Sequence, residues 1–193
     1  MAYETPPLQT IAAALEDEDY VCEYMAATTN RPIDVLLVSL GEDLSEPFLI
    51  EITFPGDLLL AMGDQESYDE CFLLQFLLRY RFSFAPEYAT ELGMFLLALN
   101  RLVPSGAFGL DDETGAIFLQ YVLFLPTRDV EQDVLGLIVS SFDSFAPSLA
   151  PLIQQVGGGK LTGKEAIAKM AELGMEIPPM LAGPASLIEP TQD

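Results

Sequence analysis

The spacing of apolar residues in the first 54 positions predicts one helix followed by three strands. Leu8, Ile11 and Leu15 recur at helical spacing after a Thr5-Pro6-Pro7 start, which suits the cap and first turn of a helix. Short apolar runs separated by polar turns follow, and they predict strands over residues 20–27, 34–40 and 48–54. Because the connections are short, an antiparallel meander is favoured.

The middle of the chain is read as two helices. Residues 71–80 are apolar almost all round, which is typical of a buried helix. Residues 87–102 carry Leu92, Phe95 and Leu99 at helical spacing, and Pro104-Ser105-Gly106 ends that segment.

A β-hairpin and a long helix are predicted next. Apolar runs over residues 107–110 and 116–125 flank an acidic turn that ends in Gly115. Thr127 is a suitable cap for a helix that begins near Asp129. Its apolar phase continues to Val156 despite two prolines, so we expect one long element that is kinked or broken near Pro147.

These elements predict an α+β fold in which an antiparallel sheet of about five strands packs against helices. The expected order is α-β-β-β-α-α-β-β-α over residues 1–156. Residues 157–193 are predicted to form a glycine hinge, a small helix over 162–173 and an extended tail rich in proline and glycine.

Composition adds an apolar surplus to this picture. Half of the 193 residues are hydrophobic, and the mean hydropathy is +0.31. This predicts a large core plus some surface that a partner covers. No apolar run approaches the roughly 18 residues that span a bilayer, and the N-terminus lacks the pattern of a signal peptide. A cytoplasmic protein without membrane contact is therefore expected.

The charge is strongly negative and unevenly distributed. The formal net charge is −22, Arg31 is the only base before Arg79, and all three lysines lie between residues 160 and 169. Such a field repels phosphate backbones and anionic membranes, which disfavours direct nucleic-acid binding. It favours a basic partner, or it serves only to keep an apolar protein soluble.

The groups that carry most enzyme chemistry are missing or scattered. The chain has no histidine, and Cys22 and Cys71 form no metal or redox motif, so both are expected to be reduced core thiols. Gly157-Gly158-Gly159-Lys160 lacks the spacing of a phosphate loop, and Asp111-Asp112-Glu113 lacks that of a calcium loop. We predict no catalytic residue, no cofactor and no metal, although carboxylate pairs leave an enzyme or metal binder as an open alternative.

One stretch resembles a known family. Residues 99–111, from Leu99-Asn100-Arg101 to Gly109-Leu110-Asp111, together with residues 115–121, are similar to the type III secretion chaperone-like fold, which bacterial Tir-chaperone-type and YbjN-like proteins share. In that family a helix ends in an asparagine before a short strand, a hairpin follows, and a long helix closes the domain. The resemblance implies a homodimeric, non-catalytic chaperone that holds partner segments on hydrophobic patches.

The leading hypothesis is therefore an adaptor or chaperone that binds a basic or amphipathic segment of another protein. Its apolar contacts are predicted at five aromatic residues, namely Phe72, Phe76, Phe95, Phe118 and Tyr121. The alternative is an acidic nucleic-acid mimic that inhibits a DNA- or RNA-binding protein, which requires carboxylates at phosphate-like spacing on one face.

Overall fold

The computed structural model describes residues 7–44, 47–57, 72–103, 106–111 and 113–177. The elements follow in the order α1 (Pro7–Glu16), β1 (Val21–Met25), β2 (Val35–Ser39), β3 (Leu49–Thr53), β4 (Phe72–Arg79), a 3-10 turn (Pro86–Tyr88), α2 (Ala89–Leu99), β5 (Ala107–Asp111), β6 (Ala116–Leu125), α3 (Gln132–Gly157) and α4 (Gly163–Glu172). The predicted helix cap at Thr5, the cysteine at position 71 and the tail beyond residue 177 lie outside the described residues.

The predicted α+β class is confirmed. All six strands form one antiparallel sheet in the order β1-β2-β3-β4-β6-β5. The first four strands are a meander, and the predicted hairpin of β5 and β6 continues the sheet through β6, which leaves β5 at the edge.

The prediction of a helix over residues 71–80 is wrong, because Phe72–Arg79 is strand β4. This strand lies between β3 and β6, so it is central in the sheet. Most side chains on both sides of this strand are apolar, so it reads as a continuous apolar run, which periodicity cannot distinguish from a buried helix. The sheet consequently has six strands instead of five.

The core lies on one side of the sheet. The even-numbered residues of β1 to β5 and the odd-numbered residues of β6 point to this side, and they join one hydrophobic cluster with the helices. Leu15 of α1, Phe95 of α2 and Phe142 of α3 are all nearly inaccessible within it. Helices α1, α2 and α3 are therefore layered on a single face of the sheet.

Helix α3 is one continuous helix of 26 residues that contains both Pro147 and Pro151. It begins at Gln132, later than predicted, and Thr127 instead accepts a hydrogen bond from the Asp129 amide just ahead of it. By length and composition this helix could cross a membrane, but Phe142 and Ile153 on it are buried in the core. The structure is thus compatible with a soluble protein in which α3 is a core helix.

The predicted small helix near the C-terminus is also confirmed as α4. It begins at a capping box, in which the Thr162 hydroxyl accepts from the Glu165 amide and the Glu165 carboxylate accepts from the Thr162 amide. Ala166 and Met170 are fully buried in the common core, and Glu91 of α2 accepts a hydrogen bond from the Gly163 amide. Helix α4 is therefore packed against the rest of the molecule.

Candidate protein-binding surface

One face of the sheet lies outside the hydrophobic core. It is formed by the odd-numbered residues of β1 to β5 and the even-numbered residues of β6, and we call it the open face. Most of its apolar side chains, such as Leu37, Leu77 and Val122, are only partly buried, Val35 alone being buried, and none of them belongs to the core cluster. Phe124, near the end of β6, is 71% exposed. No described helix covers this face.

Acidic and apolar residues alternate across the open face. The strand register places Glu23, Leu37, Glu51, Leu77 and Gln120 side by side in one row that crosses β1, β2, β3, β4 and β6. Neighbouring strands are about 4.8 Å apart, so the backbones of Glu23 and Glu51 lie about 10 Å apart with Leu37 between them. This row can contact apolar groups and cations at the same time.

A surface ion pair lies beside this row. An Nη1 nitrogen of Arg79 is 2.5 Å from an Oε1 oxygen of Glu51, and the two side chains are 53% and 36% exposed. A pair this exposed contributes little to stability, on the order of 0–1 kcal/mol. The pair does neutralise the charge of Glu51. Glu23 forms no ion pair with another described residue, so it is the acidic group of the row whose charge remains unpaired.

A hollow of about 470 Å³ opens between β4 and β6 on the open face. It is lined by Leu77, Ala116 and Phe118, with Gln75 and Gln120 on the same two strands. The lining thus combines three apolar side chains with two amide groups, and Arg79, Asp111 and Thr114 complete it. Those amides form no hydrogen bond with any residue of the described part of the chain, so their donors and acceptors are available to a ligand.

The rim of the hollow carries a fixed negative charge. Asp111 accepts hydrogen bonds from the Thr114 hydroxyl at 2.5 Å and from the Glu113 and Thr114 amides at 3.0 and 3.2 Å. These bonds, the Thr114 hydroxyl first, hold the pKa of Asp111 below its usual value. Asp111 is therefore ionised at neutral pH, and its turn geometry keeps it in place.

The five aromatic residues predicted to contact a partner separate into three groups. Only Phe118 lies on the open face. Phe72 and Tyr121 point to the core side and are half-buried; the Phe72 ring packs 4.9 Å from the Arg128 guanidinium, and the Tyr121 ring centre is 6.2 Å from that of Phe76.

Phe76 and Phe95 need a correction. Their side chains are 0% and 1% exposed, so they are core residues that a partner could reach only if the core opened. Both were predicted as contact residues because they are large and apolar, but alternation along β4 turns Phe76 inward, and the spacing of α2 does the same for Phe95.

The residues that accompany Phe118 on the open face were not predicted from the sequence. Leu37, Gln75, Leu77 and Gln120 share its face, but their grouping depends on how strands far apart in sequence are paired. Reading residues 72–79 as a strand would have placed Gln75 and Leu77 on the side opposite Phe76. The alternation along residues 72–79 was therefore the one signal in the sequence that could have identified Gln75 and Leu77.

The described residues give little support to metal chemistry. No three cysteine, aspartate or glutamate side chains in the described ranges are grouped closely enough to hold a metal ion. Cys22 lies on the core side of β1 and is half-buried. Burial, with a smaller contribution from Glu16, raises the pKa of its thiol from 9.0 to about 11. This thiol is consequently a weak nucleophile.

We expect Cys22 to react at least about 100-fold more slowly with iodoacetamide at pH 8 in the folded protein than in the urea-unfolded chain, because a two-unit higher pKa lowers the thiolate fraction by that factor. The Cys71→Ser variant isolates the single thiol for mass spectrometry. Neutral Cys22 favours folding below pH 9, and this contribution is lost as the pH rises from 9 towards 11. Equal rates in the two states would contradict the buried, protonated thiol.

Comparison with known proteins does not assign the chain to a family. No protein-family model matches the sequence, and no curated protein is similar enough to indicate a relationship. The resemblance to type III secretion chaperone-like proteins therefore remains a prediction.

Proposed function

We propose that this protein is a non-catalytic adaptor or chaperone that holds a basic or amphipathic segment of a partner protein on the open face. One observation carries the proposal: a whole face of the sheet lies outside the core and presents partly exposed leucine, valine and phenylalanine side chains. Single exposed apolar residues are ordinary, but a contiguous apolar patch on a soluble protein is typical of an interaction site.

Charge selects the kind of partner. The chain carries a formal net charge of −22, and acidic residues stand on the open face itself, at Glu23 and at Asp111 beside the hollow. A segment with lysine or arginine next to apolar residues satisfies both features of this face. Attraction between such charges raises the association rate, and it extends only about 8 Å at physiological salt.

The open face supports this proposal better than nucleic-acid mimicry. A mimic needs a run of carboxylates at phosphate-like spacing, whereas Glu23 and Glu51 are separated by Leu37, and Glu51 is already paired with Arg79. We further propose a cytoplasmic location and a homodimer, as the family resemblance implies. Because two strongly acidic copies repel each other, we place the dimer contact away from the acidic open face.

The proposal is tested by selecting peptides from a random display library on the purified protein. We expect the enriched peptides to combine lysine or arginine with apolar residues and to bind more weakly as salt rises. In the Phe118→Ser variant their affinity should fall about tenfold or more, because the side chain lies at the centre of the apolar lining.

Leu137→Ser is the matched control. Leu137 is 71% exposed on α3, away from the open face, so this variant should bind the selected peptides as the wild type does. Enrichment of acidic peptides, or equal binding by the Phe118→Ser variant, would overturn the proposal. Loss of binding in both variants would also count against a site on the open face.

A further inference from the structure

We infer that the hollow beside Phe118 is an anchor site for one aromatic or long aliphatic side chain of the bound segment. The inference rests on the proposed function and adds the group that is recognised. The hollow lies on the open face, and its lining combines the apolar side chains of Leu77, Ala116 and Phe118 with two amide groups and the charged Asp111 and Arg79.

Gly109 determines the shape of this hollow. Gly109 lies opposite Phe118 in the pairing of β5 with β6, and a Cβ atom at position 109 would overlap the tip of the Phe118 ring. The tip of the ring therefore reaches over the glycine, towards the sheet edge. The space above Ala116 and Leu77 stays open as a result, because the small alanine side chain fills little of it.

The dimensions fit a side chain from a partner. The volume of about 470 Å³ falls within the range of roughly 300–1,000 Å³ that is typical of ligand pockets. An aromatic ring in this space can contact Leu77, Ala116 and the exposed face of Phe118. Paired rings of this kind strengthen binding beyond the burial of their area.

The polar groups around the hollow favour a peptide over a purely apolar molecule. Gln75 and Gln120 each offer a donor and an acceptor, which match the amide groups of a polypeptide backbone. Asp111 at the rim is held ionised by its own turn, so it can attract a lysine or arginine next to the anchor. The occupant we assign is therefore an apolar side chain with a basic neighbour in the same segment.

A second copy of this chain is a poorer occupant. The charged residues on the open face are Glu23, Glu51, Asp111 and Arg79, and Arg79 already pairs with Glu51. Two such faces brought together would oppose acidic residues without a compensating cation. A basic segment meets no such repulsion.

Two synthetic peptides and one glycine substitution test the anchor site. The probes are the acetylated, amidated heptapeptide Lys-Val-Lys-Phe-Lys-Val-Lys and its copy with alanine in place of phenylalanine. We expect the wild type to bind the phenylalanine peptide about tenfold more tightly by isothermal titration calorimetry, because a buried aromatic anchor contributes at least this factor.

In the Gly109→Val variant the added side chain pushes the Phe118 ring into the hollow, so both peptides should bind alike and at the weaker level. Valine has a high propensity for β-strands, so it suits the edge strand β5. The atoms that it would overlap belong to the tip of the partly exposed Phe118 ring, which can rotate away. The matched control is Gly93→Ala on α2, where an added Cβ meets nothing within 4 Å. This control should keep the tenfold preference.

The outcomes separate this inference from the proposed function. A Gly109→Val variant that still prefers the phenylalanine peptide overturns the anchor site, and so does a wild type that binds both peptides equally. In either case, weaker binding of both peptides by the Phe118→Ser variant would leave the open face as the docking surface. If neither peptide binds and Gly109→Val instead converts a dimer to monomers in light scattering, the occupant is a second copy and the inference is overturned.

Discussion

Replacing Phe76 by alanine is expected to lower the free energy of unfolding by about 3–5 kcal/mol, the range measured for deletion of a buried aromatic ring. Phe76 is 0% exposed at the centre of the sheet, where its strand pairs with Ile52 on one side and Tyr121 on the other. Truncation therefore loses apolar burial and leaves a cavity that the surrounding sheet cannot fill. Urea unfolding followed by circular dichroism measures the effect.

The same experiment separates the core from the candidate binding surface. Phe118 lies on the open face of the neighbouring strand β6, where its ring is partly exposed and lies against Gly109. Phe118→Ala is therefore expected to lower the free energy of unfolding by well under half as much as Phe76→Ala does. Phe76→Leu keeps most of the buried volume, so its loss of unfolding free energy should lie between those of Phe76→Ala and Phe118→Ala. Equal losses for Phe76→Ala and Phe118→Ala would show that the open face is as well covered as the core.

The second large effect is expected at Asn100, which closes one edge of the sheet. Its Nδ2 group donates to the Phe108 carbonyl at 3.1 Å, and its Oδ1 oxygen accepts from the Phe108 amide at 2.6 Å. Phe108 lies in the edge strand β5, so the carboxamide satisfies backbone groups that β6 does not. One side chain thus takes the place of a neighbouring strand.

We expect Asn100→Ala to destabilise the protein by about 2–3 kcal/mol, because it leaves a part-buried amide and carbonyl without partners. It should also promote association at micromolar concentration, since the freed edge can pair with another chain. Urea unfolding and light scattering measure the two effects. Asn100→Asp keeps the acceptor but loses the donor, so it should be destabilised as well, whereas the exposed Leu97→Ala should change neither quantity.

A fully stable, monodisperse Asn100→Ala variant would contradict this role. The result bears on the sequence pattern as well, because a helix that ends in an asparagine before a short strand is the feature that resembles the chaperone-like family. In this chain the helix is α2, the strand is β5, and the asparagine joins the two directly.

Local patterns in the sequence were sufficient for most elements. The hairpin at residues 107–125 was predictable because its acidic turn ends in Gly115, which adopts the positive φ of 71° that such turns need. The small helix at the C-terminus was predictable from Thr162 and Glu165, which form the capping box within one turn. Both features depend only on residues a few positions apart.

The candidate site was predicted less well. Phe118 does lie on the open face, but Phe76 and Phe95 were predicted at a surface although they are core residues. Large apolar residues are equally suited to both environments, so size alone carries no information about which face they occupy. The error at Phe76 followed directly from reading residues 71–80 as a helix.

The sequence by itself determined the class of fold, the acidic character and the position of nearly every helix and strand, because these follow from contacts within a few residues and from composition. Only the tertiary structure decided that β4 is the central strand, that one face of the sheet is left outside the core, and that Gly109 opens a hollow beside Phe118. The physical reason is strand register. It pairs residues far apart in the chain, such as Glu51 with Leu77, and so determines which side chains share a surface.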